Sequence, residues 1–229
     1  MQRNVSVKRL PFLLVIIVIV AAAAILGYYT TVGSTTKLNT SEITDYQGQK
    51  LSSISDEPEV SIKGTQYINQ STYRLVVTGL VDKNLTLTYD EVISRYTAYE
   101  KVVTLNCVEG WSVTMLWQGF LIKDLLADAG VKSNATIVIF YGYDNYSDSL
   151  PIDYINSNNI MIAYKMNNVT ISPENGWPFQ VVAEGKWGYK WVKWITKIEV
   201  SNNTDFKGYW EQNGYSINGD SNQSYIASP

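Results

Sequence analysis

Leu105-Asn106-Cys107-Val108-Glu109-Gly110-Trp111 is the stretch on which the reading of this chain turns. It ends a run from Glu100 to Asn106 that is rich in Val and Thr and has strand character. Cys107 therefore falls at or just past a strand end, where the backbone turns through Val108-Glu109-Gly110. Cys107 is the only cysteine of the sequence. A lone thiol cannot be half of an intramolecular disulfide, so it is either a small buried side chain or a group that does chemistry.

Outward from this strand, the pattern alternates short strands with short helices. Before it, Tyr73 to Leu80 has strand composition, and Thr88-Tyr89-Asp90-Glu91 ahead of Val92-Ile93 has the capping-box form that opens a helix. After it, Leu121, Ile122, Leu125, Leu126 and Ala129 lie at helical spacing, which predicts a core helix from Gln118 to Ala129 stopped by Gly130. Strands are expected at Thr136 to Tyr141, Ile160 to Met166, Phe179 to Ala183 and Trp194 to Val200. A polar turn is expected at Asp144 to Ser149, and a short helical segment opened by Pro151. There is no regular βαβ rhythm, so the fold class is α+β with a mixed or antiparallel sheet.

The flanks differ in composition from this domain, which is assigned to residues 66–215. Leu10 to Tyr29 is an almost unbroken apolar run of the length that crosses a bilayer as one helix. Arg3, Lys8 and Arg9 precede it and the next basic residue is Lys37, which puts residues 1–9 in the cytoplasm and the remainder outside. Segment 10–29 is an anchor or a signal: Ala21 to Ala24 suits a signal peptidase, whereas the length and Tyr28-Tyr29 suit an uncleaved anchor, the reading favoured here. Residues 30–65, rich in Ser, Thr, Gln and acidic side chains, read as a polar stalk, and 216–229 as a mobile polar tail. Asn-x-Ser/Thr acceptors at Asn39, Asn69, Asn84, Asn134, Asn145, Asn168, Asn202 and Asn222 suit a glycosylated surface protein.

Composition removes several function classes. A formal charge of -3 provides no basic face for nucleic acid. The sequence has no histidine, which removes Ser-His-Asp hydrolysis, Cys-His proteolysis and histidine-bound zinc together. The seven tryptophans all lie between Trp111 and Trp210, and most are read as core.

Four separated segments, in order and at matching spacing, resemble one family. They are Cys107-Val108-Glu109-Gly110-Trp111-Ser112; Gly142-Tyr143-Asp144 with Ser149-Leu150-Pro151; Ala163 to Asn167 leading to Asn175-Gly176-Trp177-Pro178; and Gly188 to Ile195 with Ile198-Glu199-Val200. Together they resemble the molybdopterin-binding domain of the sulfite oxidase family, from about Tyr73 to Tyr215. The nearest resemblance is to the short single-domain branch that includes the catalytic subunit of periplasmic methionine sulfoxide reductase. The resemblance implies a sulfite oxidase-type fold with mixed sheets and short helices, preceded here by the single transmembrane helix.

It also implies a molybdenum-molybdopterin cofactor, with tungsten as an alternative metal, whose metal takes a protein thiolate. Cys107 matches that ligand; a soft, anionic sulfur suits a metal that shuttles two electrons. Glu109 matches an active-site acidic residue of the branch, able to pass protons, although a solvated loop carboxylate reads the same way. Asn175 matches a cofactor contact beside the Gly176-Trp177-Pro178 turn, or is a turn former. Gly142 matches a cofactor-lining position, or is a plain turn glycine. The loop from Gly185 to Lys193 is the expected place for the pterin phosphate, with charge from Lys186, Lys190 and Lys193; Trp191, Val192 and Lys193 align with the family's cofactor-holding stretch. The chain departs from the family at Gln180, where an arginine is usual, and in lacking histidine.

The function expected is an extracytoplasmic, membrane-anchored oxidoreductase that carries out two-electron chemistry. Oxygen-atom transfer on a small sulfite- or sulfoxide-like substrate is the reaction expected, with a separate cytochrome or quinone-linked protein exchanging the electrons. The alternative is a cofactor-free surface binding or structural module that keeps the fold, for which Gln180 is the best argument.

Overall fold

The computed structural model describes residues 41–227. In chain order the strands are β1 Asp45–Tyr46, β2 Gln49–Lys50, β3 Leu75–Gly79, β4 Leu85–Leu87, β5 Tyr99–Asn106 and β6 Ser112–Leu121. They continue with β7 Ile137–Gly142, β8 Ser147–Pro151, β9 Met161–Met166, β10 Val169–Thr170, β11 Gln180–Val182 and β12 Ile195–Ser201. The helices are α1 Tyr89–Arg95, α2 Ile122–Ala129 and α3 Ile152–Ser157.

Two five-stranded sheets carry the domain. One runs β4-β3-β12-β7-β8, antiparallel except for the parallel pair β3–β12; in the other β10, β9, β6 and β5 follow in order and β11 also pairs with β9. The class is thus α+β with a mixed sheet, as expected. Alternation sets which side of each strand is covered: on β3 Leu75 and Val77 are sealed, and on β5 Val103 and Leu105 point inward while Thr104 does not. Apolar residues from both sheets join one core cluster, in which Phe120, Phe179 and Tyr89 meet ring to ring.

Local signals behaved as physics dictates where the chain made its own hydrogen bonds. Thr88 and Glu91 close the capping box that opens α1. Gly130 ends α2 in the left-handed conformation at φ 72°, and α3 follows directly on Pro151. The predicted helix from Gln118 is a correction: Gln118 to Leu121 belong to β6, and α2 begins only at Ile122. β6 lies between β5 and β9 and both edges of its backbone are engaged, so a 3.6-residue spacing was overridden by pairing. Gly119 makes that pairing possible, since a Cβ there would stand 1.9 Å from the Ile162 carbonyl oxygen. The expected turn at 144–149 is likewise shorter, because β8 starts at Ser147.

The flanks depart from expectation only where they are described. The anchor at 10–29, the cytoplasmic residues 1–9 and the first part of the stalk lie outside the described residues. No helix among the described residues is long and apolar enough to cross a membrane. From Ser41 onward the supposed stalk packs on the domain. Leu51 is buried, Ile43 N–H donates to the Asn167 carbonyl at 3.1 Å and Ser52 N–H to that of Thr114 at 2.8 Å. Its polar side chains serve these contacts: Glu42 accepts from Ile54 N–H, and the Asn167 carboxamide donates to the Ser52 carbonyl at 2.8 Å. The tail is equally engaged as far as it is described. Asp220 pairs with Lys186 at 2.6 Å, and Gln223 accepts from the Trp187 indole at 3.0 Å.

Candidate functional site

Cys107 sits one residue beyond β5 and lines a cavity that opens to solvent and encloses about 180 Å³. The loop after Cys107 is a tight turn: its N–H donates to the Trp111 carbonyl at 2.9 Å, and Gly110, at φ 92°, donates back to the Cys107 carbonyl at 3.1 Å. Burial pushes the thiol up, and the Glu109 carboxylate adds to this. The backbone N–H groups of Glu109 and Val108 and the Lys193 charge work the other way.

Four of the eight site residues read from the sequence meet on this wall: Cys107, Glu109, Trp191 and Lys193. Glu109 is exposed, and its Oε2 accepts from the Trp111 indole at 3.2 Å. Trp191 stacks at an angle on the core residue Trp117 and donates from Nε1 to the Lys186 carbonyl. Lys193 stands just ahead of β12, with its Nζ 3.5 Å from a Glu57 carboxylate oxygen and 3.3 Å from the Glu174 carbonyl.

The other four stand behind the wall. Val192 is fully buried and its carbonyl accepts from Val181 N–H at 3.0 Å. Gly142 closes β7 where a Cβ would lie 2.8 Å from the Lys193 carbonyl, so its smallness lets the Lys193 segment approach. Asn175 is buried, accepts from the Ser172 hydroxyl at 2.8 Å and neighbours Glu57. Lys190 is sealed in the interior, paired with Asp148 at 2.7 Å and with Glu211. The expected phosphate loop therefore needs correcting: Lys190 and Lys186 both point into ion pairs away from the cavity, and Lys193 alone of the three reaches it.

Several wall residues were not picked out from the sequence. Glu57 comes from the supposed stalk, and Tyr215 from the end of the domain. Burial pushes the Tyr215 phenol up, with Tyr225, Cys107 and Glu109 adding to it. Asp144 is buried on the wall and its carboxyl is pushed up by that burial, against a hydrogen bond from Tyr146 N–H at 3.0 Å. Four of the seven tryptophans, Trp111, Trp191, Trp194 and Trp210, line the cavity; Trp117, Trp191 and Trp194 are buried and Trp111 and Trp177 pack against the core, so most are core as expected. Trp194 is held in the left-handed region at φ 52°, a conformation that costs a bulky residue about 1–3 kcal/mol. Its indole donates to the Pro173 carbonyl at 2.8 Å, and its N–H to that of Gly176 at 3.2 Å.

Gln180 is the informative member. It is fully buried in β11 and borders the cavity, and neither its Oε1 nor its Nε2 has a hydrogen-bond partner among the described residues. A carboxamide without protein partners at a cavity wall can be satisfied by a polar ligand or by water. With a thiol on the same wall, the donor set fits a cofactor that offers polar edges and a thiophilic metal.

The chain belongs to the family described as oxidoreductase molybdopterin binding domain, which matches residues 62–210. It is 32% identical over 155 residues to the uncharacterized oxidoreductase YuiH of Bacillus subtilis, covering 67% of this chain and 77% of that protein. Among solved structures, the sulfane dehydrogenase SoxCD of Paracoccus pantotrophus shares the fold with a TM-score of 0.58 at 24% identity. That match covers 64% of this chain and 41% of the other. The protein is therefore an oxidoreductase of the molybdopterin-dependent class, and a molybdenum-pterin cofactor is implied by its family.

Proposed function

We propose that the protein is an extracytoplasmic oxidoreductase, held to the membrane through residues 10–29, that transfers an oxygen atom to or from a small sulfite- or sulfoxide-like substrate. The observation that carries this reading is Cys107 on the wall of a cavity that Glu109 and the buried, unpartnered Gln180 carboxamide also border. When bound, the cofactor supplies a metal centre that accepts and returns two electrons. In this chain Cys107 would hold the metal, Lys193 the anionic end of the pterin, and Gln180 a polar edge of the ligand.

Glu109, exposed at the mouth, passes protons between solvent and the reacting oxygen. Trp111, Trp194 and Trp210 exclude bulk water from the cavity and offer flat apolar surface to the body of the substrate. Electrons pass to or from a separate protein, a cytochrome or quinone-linked subunit.

The test is metal and pterin analysis of the full chain made in a host that assembles the cofactor, beside a Cys107→Ser variant. Stoichiometric molybdenum or tungsten with pterin, and altered metal spectroscopy with little activity in the variant, support the reading. A wild-type protein free of pterin, or a fully active variant, overturns it. Location is tested separately: protease added to intact cells should remove the domain and spare an N-terminal tag.

A further inference from the structure

We infer that Glu57 is a specificity-determining residue of the cavity, a buried carboxylate facing Lys193 that any incoming oxoanion must displace or tolerate. The inference deepens the functional reading above and rests on it for the identity of the site.

Three observations carry it. First, Glu57 is placed, not loose: it follows the 3-10 turn Ile54–Asp56, which is closed by a capping box at Ser53 and tied down by Glu42 and the buried Leu51. Second, its side chain is 1% exposed and that of Lys193 12%, with 3.5 Å between carboxylate and ammonium. Neither Glu57 oxygen accepts a well-formed hydrogen bond, and the unpartnered Gln180 carboxamide borders the same cavity. These polar groups are arranged for a ligand that supplies what they lack.

Third, the charges on the wall are unbalanced. Glu57, Glu109 and Asp144 are acidic, and Lys193 is the one basic residue among the described lining. Lys186 and Lys190 are committed to Asp220 and to the Asp148–Glu211 pair, and Gln180 is neutral. An oxoanion at Lys193 thus meets a carboxylate already there, and like charges at such range oppose each other strongly where water is excluded. A neutral oxo compound, or one with a hydrogen-bond donor for Glu57, meets no such opposition. Glu57 lies outside residues 62–210 and reaches the cavity from the segment that precedes them.

The oxoanion could be the phosphate of the cofactor or a free substrate anion. The experiment measures binding of inorganic sulfate, phosphate and sulfite by calorimetry to the full chain, without cofactor and loaded. The forms compared are wild type, Glu57→Gln, Glu57→Met, and Glu57→Gln combined with Lys193→Met. The expected result is at least about tenfold tighter oxoanion binding in both Glu57 variants, and loss of that gain when Lys193 is also replaced. If loading with cofactor abolishes the gain, the phosphate is the competitor; if the gain survives loading, it is the free substrate anion. Glu57 variants that bind oxoanions no more tightly than wild type, or a gain that persists without Lys193, overturn the inference. Pterin content of the wild type is measured in parallel. Its absence sinks the cofactor reading and leaves the Glu57–Lys193 result standing on the anion titrations.

Discussion

Lys190 Nζ lies 2.7 Å from Asp148 Oδ1 with both side chains 1% exposed, and Glu211, equally buried, closes on the same ammonium. Two carboxylates share one cation inside the protein. Burial pushes the Asp148 carboxyl well above the usual carboxylate range, against the pull of Lys190, while Glu211 pushes the same way as burial. The cluster ties the turn Gly188–Lys190, which presents Tyr189 to the cavity, to β8 and to the 3-10 turn Glu211–Asn213.

Replacing the cation strands both acids. Lys190→Met should cost about 3–5 kcal/mol, the usual loss when one partner of a buried ion pair is removed. Adding Asp148→Asn and Glu211→Gln should recover much of it, since the desolvated charges then vanish. Urea unfolding of the single and triple variants measures this, and equal midpoints for wild type and Lys190→Met would refute the assignment.

Lys193→Ala removes the one ammonium on the described cavity wall. A charge-assisted hydrogen bond to the pterin phosphate is worth about 1.5–3 kcal/mol, so cofactor retention should fall roughly tenfold to a hundredfold. Pterin released on dialysis, quantified by fluorescence, reads this directly; unchanged retention would remove Lys193 from the cofactor's contacts.

Acid stability should depend on Asp128. Burial works upward on this carboxyl but is outweighed by hydrogen bonds from Lys83, Tyr96 and Arg95, which together bring it down to about 2. A carboxylate depressed on folding contributes stability that is present above its unfolded value, near 3.8, and is lost as pH falls toward about 2. Melting temperature recorded from pH 5 down to 2 should fall more steeply in wild type than in Asp128→Asn, which has no such proton to take up. Parallel curves would show that the cluster contributes nothing.

Deleting residues 216–229 should lower stability and loosen the wall. The deletion removes the Asp220 partner of the buried Lys186, the Gln223 acceptor of Trp187 and the Ser216 acceptor of the Tyr189 hydroxyl. For a domain of this size each kcal/mol lost lowers Tm by about 2–4 °C. Limited proteolysis should then cut between Gly185 and Tyr189; a truncated protein that melts and resists protease like wild type would mean the tail is dispensable.

Much of the fold was legible because the signals were local. The capping box at Thr88, the stop at Gly130, the start at Pro151 and the Val-rich run into Asn106 each act within a few residues. β6 was not legible: its stretch Gln118 to Leu121 reads as helical by spacing and is strand only because β5 and β9 lie on either side. At the site, Cys107, Glu109, Trp191 and Lys193 were found through motifs whose spacing reflects the strand-end turns. Glu57 and Tyr215 were not, since one comes from the polar segment before the domain and the other from its last residue, neither with a pattern of its own.

What the sequence by itself determined is the α+β class, the family, and the cysteine at a strand end, because local propensity and motif spacing are properties of the chain. What only the tertiary structure decided is which charges face the cavity. The loop holds three lysines, but Lys186 and Lys190 are drawn into ion pairs with Asp220, Asp148 and Glu211, and Lys193 meets a glutamate from more than a hundred residues away. Sequence counts charges; burial and pairing across the fold decide which of them a ligand can still reach.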